Sequence, residues 1–199
     1  MAHRGSGRLA QALGMCTYIS AIVPKSADVA RLSEIAARYK KDLRPFANAS
    51  IKSQLNSGES IFLTALGHCD CGSAIGSSSL KHRKAVDLDE ERSKLAKKGW
   101  SKSKIERAIS QRIDKINVRE RDKNSKLGND LDNWLGFLRA ALSNSDTPYI
   151  GLLTHHYSGS LVTEELTISD RQIIEATDLN QAALAGIDED VIYQVSAHA

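Results

Sequence analysis

No apolar run in the 199 residues approaches the roughly 18 to 20 needed to span a bilayer. The longest, "YISAIV" and "YIGLL", have the length of core strands. Cysteine is scarce, with three in the chain. A disulfide scaffold of this size carries more, and an odd number leaves one thiol over. A reducing compartment, most simply the cytosol, is expected. Acidic residues are missing from the first 27 positions, where Arg4, Arg8 and Lys25 supply the charge. The segment "MAHRGSGRLAQALG" has a weak apolar face and no secretory h-region, so residues 1–14 read as a loose leader and Met15 as a candidate start. No internal repeat and no long low-complexity tract occurs.

A hydrophobic fraction of 41% can bury a core, and 26% charged residues is ordinary for a water-facing domain. One domain, 15–199, is expected at this length. The net charge of +3 conceals blocks. Residues 80–127 hold 16 basic and 8 acidic side chains, whereas residues 128–199 hold 2 and 11. A basic arm followed by an acidic segment can bind nucleic acid, or the two can pair with each other within the chain or in a dimer.

"CTYISAIVP" (16–24) is rich in β-branched and aromatic residues and stops at a proline, the pattern of a strand. In "KSADVARLSEIAARYKK" that follows, Val29, Leu32, Ile35, Ala36 and Tyr39 fall at helical spacing, with Ser26 as a cap. A short extended piece is expected around 44–50, then a strand over "SIFLTALG" (60–67). "DLDEERSKLAKKG" reads as a helix stopped at Gly99. "WSKSKIERAISQRIDKI" reads as a second, capped by Ser103 or Ser101, with Ile105, Ile109, Ile113 and Ile116 as a narrow apolar stripe. "NDLDNWLGFLRAAL" is the strongest amphipathic helix, with Leu131, Trp134, Leu135, Leu138 and Leu142 on one side and Asp130 or Asn129 as cap. Strands follow at "YIGLLTHHY" (149–157) and "SLVTEELTI", then a short helix in "TDLNQAALAG" and a strand at "DVIYQVSA". The order predicts an α+β fold: a mostly antiparallel sheet, helices on one face, and residues 80–127 as an inserted basic helical hairpin.

Two of the three cysteines stand in "GHCDCGSAIG" (67–76). On a strand, alternation would send Cys69 and Cys71 to one face and His68 and Asp70 to the other. If the first strand lies alongside, Cys16 joins them, and His155 or His156 could supply a nitrogen. Cys₃His is a normal zinc set, and thiolates suit other soft metals. Two other readings compete: buried reduced cysteines pack as small hydrophobes, and a CxC pair can be redox-active. "GSAIGSSSLKHRK" (72–84) has phosphate-loop glycines, but Gly76 is followed by serine and not by the Gly-Lys-Ser/Thr of a Walker loop, so a flexible joint is the simpler role. Residues 95–126 have helix-turn-helix spacing, which would turn Lys102, Lys104 and Arg107 towards nucleic acid; a plain antiparallel helical pair is the alternative. No nucleophile elbow, HExxH or spaced acidic pair is present.

The residues therefore point first to a non-enzymatic cytosolic binding protein. It would act on a protein partner or a second copy of itself, with a candidate structural zinc site at Cys16, Cys69, Cys71 and a histidine. The rival readings are a nucleic-acid-binding regulator and a thiol- or metal-dependent enzyme centred on the CxC stretch. No membrane partner is expected.

Overall fold

The structure, a computed structural model, describes residues 16–75, 87–143 and 147–197. The expected leader at 1–14 and most of the expected joint at 72–84 lie outside them. The class is the expected one: a six-stranded sheet, mostly antiparallel, combined with helices. In chain order the elements are β1 (Cys16–Pro24), α1 (Val29–Arg38), β2 (Arg44–Pro45), α2 (Ala49–Gln54), β3 (Glu59–Leu63), α3 (Leu88–Lys97), α4 (Lys102–Ser143), β4 (Tyr149–Tyr157), β5 (Asp170–Glu175), α5 (Gln181–Ala185) and β6 (Val191–Ser196). The strands lie in the order β2-β3-β1-β4-β6-β5, with β5 and β6 the parallel pair.

Alternation along the central strands sorts the core into two layers. Ile19, Ala21 and Val23 of β1, with Ile150 and Leu152 of β4, face Leu32 and Ile35 of α1 and Trp134, Phe137 and Leu138 of α4. Tyr18 and Ile22 of β1, with Leu153 and Tyr157 of β4, face the other way onto Ile51 of α2 and Leu166. Gly151 sits where a Cβ would come 3.2 Å from both Ile22 and Ile192, a tight approach that favours glycine where three strands pack closely.

Several local expectations change. Asp28, not Ser26, caps α1, its carboxylate accepting from Arg31 N. Residues 160–168 are not a strand. Their backbone is held instead by side chains of α2 and its cap: Asn48 Nδ2 donates to the carbonyls of Leu161 and Glu164, and Ser50 Oγ to that of Leu166. The strand lies one step later, at β5, whose edge position and polar sequence give it little hydrophobic signal.

The two helices expected around Lys102–Ile116 and Asn129–Leu142 are one helix, α4, of 42 residues and about 63 Å. The boundary drawn at 127 falls inside it. Gly128 weakens a helix without breaking it, and Asp130, which could have capped a new one, turns its carboxylate elsewhere. A Cβ at Gly128 would meet nothing within 4 Å. Gly128→Ala is therefore expected to stabilise the fold by about 0.5–1 kcal/mol, read from the urea midpoint. At the far end, α3 turns at Gly99 (φ +77°) and packs back on α4, burying Ile105 and Ile109.

Candidate metal centre

The stretch from Thr64 to Ile75 is not a strand, and its departure from one builds the site. Thr64 N and Oγ1 donate to the Ile19 carbonyl, and there the β3 ladder ends. The chain loops out and returns at Asp70, whose N–H donates to the Thr17 carbonyl. The Asp70 carboxylate accepts from Ile19 N at 2.9 Å, a backbone donor the ladder no longer satisfies. A turn then follows, with Ser73 N donating to the Asp70 carbonyl at 2.8 Å. It swings Cys71 back to the start of β1, where Thr17 N donates to its sulfur at 3.2 Å.

The sulfurs of Cys16, Cys69 and Cys71 consequently lie within 4.8 Å of one another. Three thiols do meet, although by a turn and not by strand alternation. Cys16 and Cys69 are half-buried and Cys71 is exposed. Burial pushes the Cys69 thiol up to about 11, and the sulfurs of Cys71 and Cys16 add to the rise. Burial acts on Cys71 too, but the Thr17 N–H and the thiols of Cys69 and Cys16 outweigh it and hold Cys71 below its ordinary value. Of Cys69 and Cys71, Cys71 is thus the sulfur that carries negative charge more readily.

A buried polar network holds this loop against the helical layer. Asp130 of α4 accepts from Ser73 Oγ at 2.6 Å, from Ala74 N at 2.9 Å and from Lys41 Nζ at 2.6 Å. Lys41 lies over the Trp134 ring, and the Trp134 indole donates to Ser73 Oγ. Asp70 is itself buried; desolvation, reinforced by Asp130, raises its carboxyl to about 6. None of Asp70, Ser73, Lys41 and Asp130 stands out as a site residue in the sequence. The one available signal is an aspartate beside the apolar stripe of an amphipathic helix.

The two histidines fall elsewhere. His156 lies on the helical side of β4, its Nδ1 3.1 Å from Thr17 Oγ1. His155 lies on the opposite side, the side of Cys16, paired across the strands with Tyr18. Neither is among the donors grouped with the three sulfurs. His155 groups instead with Glu189 and Asp190. Lys102, Lys104 and Arg107 are exposed on the first turns of α4. Lys104 lies over the Trp100 ring, and nearby cations are paired inside the hairpin: Arg92 with Asp89 and Glu106, Lys94 with Glu90, Arg112 with Glu91.

The donor set is of the kind that suits a soft cation. Zinc with sulfur ligands at about 2.3 Å sets sulfur–sulfur edges of about 3.8 Å, so the group needs only a small contraction. Cys16, Cys69 and Cys71 would supply three ligands to such an ion, and a fourth would have to come from water or another donor. No helix among the described residues is long and apolar enough to cross a membrane. Comparison of the chain with protein-family models, with curated proteins and with solved structures finds no match in any of the three.

Proposed function

We propose that this chain is a binding protein built round a thiolate centre for a soft metal ion, zinc first, held by Cys16, Cys69 and Cys71. The observation that carries the reading is the convergence of all three cysteines of the chain to within 4.8 Å, from two segments 53 residues apart, on a loop tied down at both ends. Cysteines that merely pack have no need to face one another. The ion would draw the loop 69–71 onto β1 and so contribute folding free energy directly, as structural zinc does. Because Cys69 is held protonated at neutral pH, metal uptake would release protons and strengthen as pH rises.

The test is metal content per chain by elemental mass spectrometry, on protein purified without a histidine tag. At least one ion per chain is expected, and the Cys69→Ser, Cys71→Ser variant should hold one fewer than wild type. Cobalt substituted at the site should show the intense near-ultraviolet thiolate-to-metal band. Metal-free protein whose Cys71 alkylates rapidly at neutral pH would overturn the reading in favour of thiol chemistry, since an exposed, charge-prone sulfur is also a nucleophile.

A further inference from the structure

On the same face as Cys16, β4 carries a second group of donors. His155 is three-quarters or more withdrawn from solvent, with a side-chain exposure of 12%. Its Nδ1 stands 2.6 Å from Asp190 Oδ1 and 3.9 Å from Glu189 Oε1. The two carboxylates are reachable from solvent, at 33% and 41% exposure. They sit on a turn fastened to β4: Asp190 N donates to the Thr154 carbonyl, Thr154 Oγ1 to the Asp188 carbonyl, and Ser169 to the Asp190 carbonyl. Glu189 also accepts from His156 N.

What is unexplained is the buried side of this group. His155 Nε2 is shut off from solvent and makes no hydrogen bond, and neither does the hydroxyl of Tyr157. Tyr157 is 2% exposed and packs edge-on against the His155 ring at 4.5 Å. Buried polar atoms without partners are uncommon, and each calls for a cause. His155 Nε2 faces Glu164 Oε1 at 3.6 Å, beyond hydrogen-bond reach.

We propose that His155 Nδ1, Asp190 and Glu189 form a binding site for a divalent cation of the manganese, iron(II) or zinc type. A cation among these three atoms would take the Nδ1 lone pair, so that the ring of the ligating histidine carries its proton on Nε2. That proton then points at Glu164, whose carboxylate is already oriented by the N–H groups of Ser158 and Gly159. A ligating histidine that donates its other nitrogen to a carboxylate is the usual support for a bound metal. One imidazole and two carboxylates form a hard-to-borderline donor set, unlike the three sulfurs. Tyr157 closes the inner wall, and Glu189 and Asp190 form the solvent-side entrance. The site does not depend on the thiolate reading.

Manganese separates the two sites, because it is hard and binds thiolate poorly. The full chain is titrated with Mn²⁺ and the free ion is followed by electron paramagnetic resonance. Wild type and the Cys69→Ser, Cys71→Ser variant are each expected to retain one ion. Asp190→Asn and His155→Gln are expected to weaken binding at least tenfold. In wild type, bound Mn²⁺ should broaden the His155 ring protons more than those of the other histidines, a readout that requires no variant. Absence of retained manganese, retention that survives both site variants, or loss in the cysteine variant would each overturn the site.

Discussion

Asp130→Ala is expected to destabilise the protein by about 3–5 kcal/mol, which is the usual cost of removing one partner of a buried ion pair. The reason lies in what remains. Lys41 has 6% side-chain exposure, and its ammonium is held at 2.6 Å by Asp130. Without that carboxylate it keeps the face of Trp134, worth about 2 kcal/mol, and a longer-range attraction to Asp70, but no carboxylate in contact. Ser73 and Ala74 both lose the Oδ2 acceptor, so the loop carrying Cys69 and Cys71 keeps only the Trp134 indole as a hydrogen-bond tie to α4 and is loosened. Urea unfolding measures the first effect. The alkylation rate of Cys71 measures the second and should change with it. Replacing both members, as Lys41→Met with Asp130→Leu, should recover most of the stability but not the anchoring of the loop. A loss below about 1 kcal/mol in the single variant would show that Lys41 reaches water and that the loop is held by other means.

Glu59→Ala is expected to cost about 3 kcal/mol at neutral pH. Glu59 opens β3 with a side-chain exposure of 1% and gathers side-chain donors from two other strands. Arg171 of β5 meets it at both oxygens, each at 2.8 Å, and the Tyr149 hydroxyl of β4 donates at 2.7 Å. The lower end of the usual range applies because Arg171 is 27% exposed and keeps a second bond, to Gln194. Burial alone would push the Glu59 carboxyl up. Hydrogen bonds from Arg171, Tyr149 and Asn56 outweigh it and hold the group below its ordinary value of 4.5. A depressed carboxylate stabilises the fold above the unfolded-state value and loses that contribution as pH falls through the folded one. The gap between wild type and Glu59→Gln should therefore be full at pH 7 and narrow below about 4.5. A gap that does not change with pH would mean that the carboxylate's charge is not what holds these strands.

Much of the frame was legible because it follows from periodicity. β1 and β4 announce themselves by β-branched residues and length, and α1 and the second half of α4 by apolar residues every three to four positions. The site was half legible. Three cysteines drew attention by scarcity, but alternation assumed a strand where Asp70 replaces the ladder and a turn carries Cys71. His155 was visible as a residue with chemistry, yet its partners Glu189 and Asp190 come from a turn 34 and 35 positions away that only folding brings alongside. The absent strand at 160–168 and the present one at 170–175 share one cause. Side chains of α2 satisfy the first segment's backbone, while an edge position lets the second form with few apolar residues. A single long helix across Gly128 was hidden because residue signals mark where a helix weakens, not where packing carries it through.

The placement of α4 between β3 and β4 also sets an order of events at the ribosome. β1 is an inner strand, with β3 on one side and β4 on the other. Its first neighbour is complete at Leu63, but its second ends at Tyr157, after the whole of α3 and α4 has been made. At translation speeds of about 5–20 residues per second, that interval lasts roughly 5 to 20 seconds. Throughout it, the nascent chain carries a nine-residue apolar strand with one bare edge, the kind of edge that pairs with other chains. A ribosome stalled within α4 would leave that edge open, so newly made protein is most prone to aggregate before Tyr149 emerges.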